Sequence, residues 1–253
     1  MLDDLRGKRA LVTGSSTGIG AAVALELGRL GVAVAVHGNK NADAAKAVAG
    51  RIAAAGGTAV VVLGDVSHSA ATAKFVADAV AGLGGLDILI NNAGGILERV
   101  SNAAFDDEMF QQVYDLNVRS ILSTTRAAYP HLKAAGGGSI INTGSVAGRF
   151  GGFLGSTIYA SAKAAVHSIT RNAAREFALD KIRVNTVAPG FIITPFHDKT
   201  PETVRELARS QIPMQRLGTA EDCVGAYVFL ASNAMSGYIT GQIIDVNGGQ
   251  LMA

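Results

Sequence analysis

Short apolar runs rich in β-branched residues alternate along this chain with longer alanine-rich stretches of helical spacing. The runs at 9–13, 33–36, 59–63, 88–91, 139–143, 183–187 and 243–246 predict strands. The stretches at 18–30, 42–55, 70–83, 107–135, 157–179 and 220–232 predict helices. Strands that are apolar almost throughout need cover on both faces, and crossover helices supply it. The series therefore predicts an α/β fold, a single-domain Rossmann-type doubly wound parallel sheet of about seven strands with helices on both faces. Nothing resembling a linker or a repeat interrupts the rhythm, so a single domain is expected over residues 1–253. The one break is the more polar segment 191–214, with Pro195, Pro201 and Pro213, which reads as a lid-like insertion over a site.

Composition narrows the class. Hydrophobic residues make up 49% of the 253 positions, enough for a self-sufficient core. Twenty-two basic against 20 acidic residues give a net charge of +2 with no basic block, which argues against a nucleic-acid partner. Cys223 stands alone, so an internal disulfide is excluded and a reducing compartment is expected. The first residues include Asp3 and Asp4 and lead into no apolar segment, and no apolar run approaches the roughly 20 residues a membrane span needs. A soluble, cytoplasmic protein with no membrane partner is expected.

The first strand runs into Thr13-Gly14-Ser15-Ser16-Thr17-Gly18-Ile19-Gly20, where helical spacing begins. Small residues there let an anion approach the backbone, and a helix start offers unpaired N–H groups. The spacing Gly-x-x-x-Gly-x-Gly differs from the dinucleotide fingerprint Gly-x-Gly-x-x-Gly, so the turn reads either as a pyrophosphate site or as a plain tight connection. The second strand ends in His37-Gly38-Asn39-Lys40-Asn41, without the acid that would bind an adenosine ribose 2′-hydroxyl. NADP(H) is therefore expected over NAD(H), with Asn39, Lys40 and the hydroxyls of Ser15 and Ser16 near the 2′-phosphate; the alternative leaves Lys40 in solvent.

Tyr159 and Lys163 lie four apart at the start of a helical stretch and so share one face. An ammonium beside a phenol favours the phenolate and is expected to lower its pKa, allowing proton exchange at neutral pH. Such pairs are also common surface contacts. Ser145, 14 positions earlier, ends the fifth strand at the sheet edge where ligands bind.

Taken together, Thr13-Gly14-x-x-x-Gly18-Ile19-Gly20, Asp65-Val66, Asn91-Asn92-Ala93-Gly94, Asn117, Ser145, Tyr159-x-x-x-Lys163, Pro189-Gly190 with Thr194, and the tail Gly237-Tyr238-Ile239-Thr240-Gly241 with Gly248-Gly249 resemble the short-chain dehydrogenase/reductase family. The resemblance implies Tyr159 as general acid and base, Ser145 orienting the substrate oxygen, and Lys163 tuning Tyr159 and binding the nicotinamide ribose. It implies that Asn117 holds a water linking Lys163 to solvent through an irregularity in the helix beginning at Asp107. For the dinucleotide it implies Gly14, Ser16, Thr17, Ile19 and Gly20 at the ribose and phosphates, Asp65 and Val66 at the adenine, and Asn92, Ala93 and Gly94 at the adenosine ribose. Pro189, Ile192 and Thr194 are implied at the nicotinamide. The activity implied is interconversion of a ketone and a secondary alcohol, with 3-oxoacyl thioester reduction foremost. The family's usual charged discriminator is here Gly38 and Asn39, and the glycine-rich loop 149–156 names no substrate.

Other readings remain beside it: a sugar, polyol or steroid dehydrogenase of the same kind, a catalytically silent nucleotide-binding protein, or an epimerase or dehydratase. His37, His68, His131, His167 and His197 occur singly, without metal-ligand spacing, so core or solvent positions and no metal are expected. Ser145 lacks the Gly-x-Ser-x-Gly elbow of a hydrolase. Arg171 and Arg175 either receive an acidic acyl carrier protein or solvate the surface. The small-residue helix from Thr157 and the apolar tail, with the family habit, imply a homotetramer or dimer.

Overall fold

The structure is a computed structural model that describes residues 2–198 and 200–252; Met1, Ala253 and Lys199, the last inside the expected lid segment, lie outside them. Nine strands, β1 (Arg9–Val12), β2 (Ala33–Gly38), β3 (Ala59–Leu63), β4 (Ile88–Asn91), β5 (Gly138–Thr143), β6 (Ile182–Pro189), β7 (Ile192–Ile193), β8 (Gly218–Thr219) and β9 (Ile243–Val246), form among the described residues. Seven make one parallel sheet in the order β3-β2-β1-β4-β5-β6-β9, as the apolar runs predict. The helices are α1 (Gly18–Arg29), α2 (Ala42–Ala54), α3 (Ser69–Leu83), α4 (Asp107–Tyr114), α5 (Ser120–Ala134), α6 (Ala147–Phe150), α7 (Thr157–Glu176), α8 (Glu202–Ser210), α9 (Ala220–Ala231) and α10 (Asn233–Ser236).

The pleat explains why the strands are apolar throughout. Val12, Val34, Val36, Ile88 and Ile90 pack on one side with Leu27 of α1 and Tyr227 of α9. Their neighbours Leu11, Ala35 and Leu89 pack on the other with Phe75 of α3 and Leu132 of α5. Alternate side chains thus enter two separate cores, and neither face of a central strand can be polar.

β1 pairs with β2 on one side and β4 on the other, so the chain changes direction of winding at β1, and the loops after β1 and β4 diverge at their carboxyl ends. Thr13, 2% exposed, bridges them. Its Oγ1 accepts from the backbone N–H groups of Asn92 at 2.9 Å and Ala93 at 3.0 Å. The Asn92 amide in turn donates to the carbonyls of Thr13 at 2.9 Å and Gly14 at 3.2 Å.

The predicted helix at 107–135 is two helices joined by a π-helical turn at Asp115–Arg119. The buried Asn117 Nδ2 donates to the Val113 carbonyl at 2.9 Å and Ser120 Oγ to that of Leu116 at 2.6 Å, so side chains occupy carbonyls of the helical ladder. α7 stops at Glu176, short of the predicted 179, because the chain tightens into a 3₁₀ turn (Ala178–Asp180) and reverses at Lys181 with φ +58° to enter β6. In the segment 191–214 lie β7 and α8, and β7 pairs with β8, just beyond the segment, in a small second sheet. Among the described residues no helix is long and apolar enough to cross a membrane.

Replacing Thr13 with Val strands two backbone donors at the β1–β4 junction. Urea unfolding is expected to show Thr13→Val destabilised by about 2 kcal/mol and Thr13→Ser by well under half of that.

Candidate active site

The turn after β1 is built for close approach. Gly14 and Gly18 have φ of +63° and +58°, and a Cβ at Gly14 would sit 3.0 Å from the Ala93 Cα. No side chain caps the N-terminus of α1 and no acid occupies its first turn, so the helix start is open to an anion. Gly20 plays a different part from its neighbours: a Cβ there would meet Asn92 Nδ2 at 2.4 Å, so it lets the turn close on the β4 loop and does not itself line the cleft. This glycine-lined cradle with an uncapped helix start fits a dinucleotide pyrophosphate.

His37 locks the turn, a role the sequence did not reveal. Its ring is 1% exposed at the end of β2, against Phe75 at 4.4 Å between centroids. Gly14 N–H donates to Nδ1 at 3.0 Å, and Nε2 lies 3.0 Å from the Gly64 carbonyl, an arrangement that requires the neutral Nε2–H tautomer. The His37 backbone N–H donates to Ser15 Oγ at 2.9 Å, and that hydroxyl donates to the Val12 carbonyl at 2.7 Å. Ser15, expected near a 2′-phosphate, is thereby consumed in the fold, fully buried, and does not line the cleft. Burial pushes the His37 imidazole down to about 4, against weaker upward pulls from its hydrogen bonds and Asp65.

Asn39 and Val66 line the cleft, but the exposed Lys40 and the half-buried Asp65 do not. Burial pushes the Asp65 carboxyl up, but hydrogen bonds from Ser67, including its hydroxyl at 2.6 Å, and from Asn39 outweigh this and hold it below the usual carboxylate range.

On the far side, Tyr159 and Lys163 rise from the first turns of α7 and Ser145 from the end of β5, into one cleft with the glycine turn. The Tyr159 hydroxyl is hydrogen-bonded to Ser145. Lys163, 3% exposed, donates through Nζ to the Thr143 carbonyl at 2.8 Å and passes 5.6 Å from the Tyr159 ring centroid. The expectation that the ammonium depresses the phenol is not met in this arrangement. Burial pushes Tyr159 up to about 12, opposed by the Ser145 hydrogen bond and by the charge of Arg99, and burial pushes Lys163 down to about 8. The helical spacing does put both on one face, but Nζ is directed at a backbone oxygen beneath the ring. Tyr159 is therefore held as a neutral phenol, the proton-donating form.

Asn117 does not reach the cleft surface. Its side chain is buried and pins the neighbouring loop, accepting from Gly95 N–H at 3.1 Å and donating to the Gly95 carbonyl at 2.8 Å. A Cβ at Gly94 would crowd Asn117 Oδ1 at 2.8 Å and Lys163 Nζ at 3.2 Å, which explains glycine there. Ser16, Thr17, Ile19, Asn92, Ala93, Gly94, Pro189, Ile192 and Thr194 all line the cleft. Its outer wall comes from Ile96 to Arg99 after β4, which sequence reasoning missed, and from Phe196 and His197, which lie in the segment 191–214. Phe196 lies 5.8 Å from the Tyr159 ring, and His197 stacks on Phe191 at 3.9 Å. The whole cleft measures about 1040 Å³, room for a dinucleotide and a small substrate together.

A family model described as enoyl-(acyl carrier protein) reductase matches residues 14–250. The 3-oxoacyl-(acyl-carrier-protein) reductase FabG of Pseudomonas aeruginosa is 41% identical over 249 residues, 98% of this chain and 99% of that protein. A crystal structure of an NADH-dependent reductase responsible for alginate metabolism is 43% identical with a TM-score of 0.91, covering 99% of this chain and 100% of that one. A short-chain type dehydrogenase/reductase from Mycobacterium marinum is 37% identical with a TM-score of 0.94, covering 100% of this chain and 98% of the other.

The neutral state of His37 predicts an acid-sensitive turn. The folded ring titrates near 4 and the unfolded one near 6.5, so the stability it confers is complete above pH 6.5 and is lost as pH falls toward 4. Urea unfolding across this window is expected to lose on the order of 3 kcal/mol more in the wild type than in His37→Gln.

Proposed function

The chain belongs to the short-chain dehydrogenase/reductase family, and from that premise we propose that it is an NADPH-preferring carbonyl reductase and secondary-alcohol dehydrogenase acting first of all on 3-oxoacyl thioesters. The observation that carries the reading is the Tyr159–Ser145 pair set over buried Lys163 in the cleft that holds the glycine turn. A bound nicotinamide dinucleotide would supply or accept hydride. Gly14, Ser16, Thr17 and Ile19 would hold its phosphates and ribose, with Gly20 letting the turn close. Val66 backed by Asp65 would border the adenine, Asn92, Ala93 and Gly94 the adenosine ribose, and Pro189, Ile192 and Thr194 the nicotinamide.

In the reductive direction Tyr159 gives its proton to the carbonyl oxygen, and in the oxidative direction it takes the proton back. Ser145 donates to the same oxygen as charge develops on it, and Lys163 supplies the positive field beneath. Asn117 acts as a positioning residue, keeping the loop at Gly94 and Gly95 against Lys163.

Preference for NADPH is supported by the lack of an acid in Gly38-Asn39-Lys40 and by the exposed Lys40 amine, free to swing toward a phosphate. A second reading, NADH use, is favoured by the position of Lys40 outside the cleft wall and by the NADH dependence of the relative of alginate metabolism. Exposed apolar side chains on and before α4 and α5, Phe105, Phe110 and Leu122, support self-association as a dimer or tetramer. Arg171 and Arg175, exposed on α7, suit an acidic carrier protein, and the lone buried cysteine supports a cytoplasmic location.

Tyr159→Phe is expected to cut turnover about 10²- to 10⁴-fold while the enhancement of NADPH fluorescence on binding gives a Kd changed less than about 3-fold. Unchanged turnover would refute the assignment. The ratio of kcat/KM for NADPH over NADH is expected above 1, measured on a panel of 3-oxoacyl thioesters, ketosugars, cyclic ketones and an enoyl thioester; a ratio below 1 selects the second reading, and the best substrate of the panel fixes the class.

A further inference from the structure

The outer wall of the cleft carries a cation that the chemistry above does not use. Arg99 is exposed and lines the cleft that also holds Tyr159. Its Nη1 donates only at a long 3.3 Å to the Leu154 carbonyl, and no carboxylate among the described residues pairs with it. The backbone that presents it is fixed. Leu97 is held at φ +60°, a conformation a leucine keeps only when its surroundings impose it, and Glu98 N–H closes on the Ile96 carbonyl at 2.8 Å. Val100 N–H donates to the Gly155 carbonyl at 2.9 Å, and a Cβ at Gly155 would lie 3.2 Å from Arg99 Cβ, so the segment is buttoned to the loop that leads into α7 and Tyr159.

Two acids, Glu98 and Asp198, also line the cleft. Arg99 is the cation of this wall whose charge reaches the Tyr159 hydroxyl, and with Arg205 it also reaches His197. His197 itself is held neutral by burial, down to about 4, and brings no competing charge. A guanidinium without a carboxylate partner, carried by a fixed backbone on the wall of the cleft that holds the proton donor, suits a substrate whose own anionic group lies within a few bonds of its carbonyl. The phosphate of a carrier-linked thioester lies far along its arm from the reacting carbonyl and cannot serve.

We propose that Arg99 is a carboxylate receptor, so that the cleft also reduces free oxo acids such as 3-oxo acids, whose carboxylate stands where a thioester otherwise would. The proposal rests on the carbonyl-reductase reading and extends its substrate class. The reaction is oxo acid plus reduced nicotinamide dinucleotide plus a proton, giving hydroxy acid and oxidised dinucleotide. Hydride adds to the ketone carbon, the carbonyl π pair moves to oxygen, the Tyr159 proton binds that oxygen, and the carboxylate is unchanged.

The test compares acetoacetate with its neutral ethyl ester in steady-state assays of the wild type, Arg99→Ala and Arg99→Lys. Arg99→Ala is expected to lower kcat/KM for acetoacetate about 10- to 100-fold, mostly through KM, and to change the ester less than about 3-fold. Arg99→Lys should recover part of the loss, since it restores charge without the bidentate fork. Equal losses on acid and ester, or a wild type that reduces the ester but not the acid, would overturn the proposal while leaving the carbonyl-reductase reading intact. A wild type that reduces neither these two nor any ketone of the wider panel would overturn both.

Discussion

A lysine ammonium buried at 3% exposure is costly, and the interior of this protein is organised to keep one. Lys163 donates its hydrogen bond to the Thr143 carbonyl at the end of β5, and Thr143 is held in turn by its hydroxyl against the buried Tyr227 hydroxyl of α9 at 2.7 Å. Behind it a polar chain crosses the core: Asn91 to Asn142 at 2.9 Å, Asn142 to Thr170 at 2.9 Å, and Thr170 to Thr186 at 2.7 Å. These contacts tie β4, β5, β6 and α7 together at one height. The low-dielectric floor they create shifts Lys163 down and Tyr159 up, so both groups sit closer to neutrality than in water.

That floor joins the nucleotide end through the loop after β4. Thr13 clips the loop to the β1 turn, Asn117 clips it to the π-helical turn, and Gly94 lets it pass against Lys163 without a clash. His37 adds a third clip between the β1 turn and the end of β3. The cleft is therefore one continuous surface along the carboxyl edge of the sheet, with anion-binding backbone at one end and the proton donor at the other.

Much of this was legible in the chain. The strands could be read because residues such as Leu11 and Val12 enter opposite cores, which demands an unbroken apolar run. Ser145, Tyr159 and Lys163 stood out because strand-end and four-residue spacings put chemistry on one edge. Side-chain direction was not legible: the spacing could not say that Nζ turns to Thr143, nor that Lys40 stays outside the wall while Asn39 lines it. His37 was invisible because its role depends on a tautomer and on partners 23 and 27 positions away. Arg99 follows no motif, and only the Leu97 and Gly155 turns bring it to the cleft.

Tyr159 waits as a neutral phenol over the buried lysine. The chain has five tyrosines, so ring-labelled tyrosine NMR, with the Tyr159 signal assigned by its loss in Tyr159→Phe, reads that state directly as pH is raised. The Tyr159 signal is expected to stay in the phenol form through pH 9 and beyond, consistent with a hydroxyl pushed up to about 12. A signal that titrates to phenolate near neutral pH would contradict it.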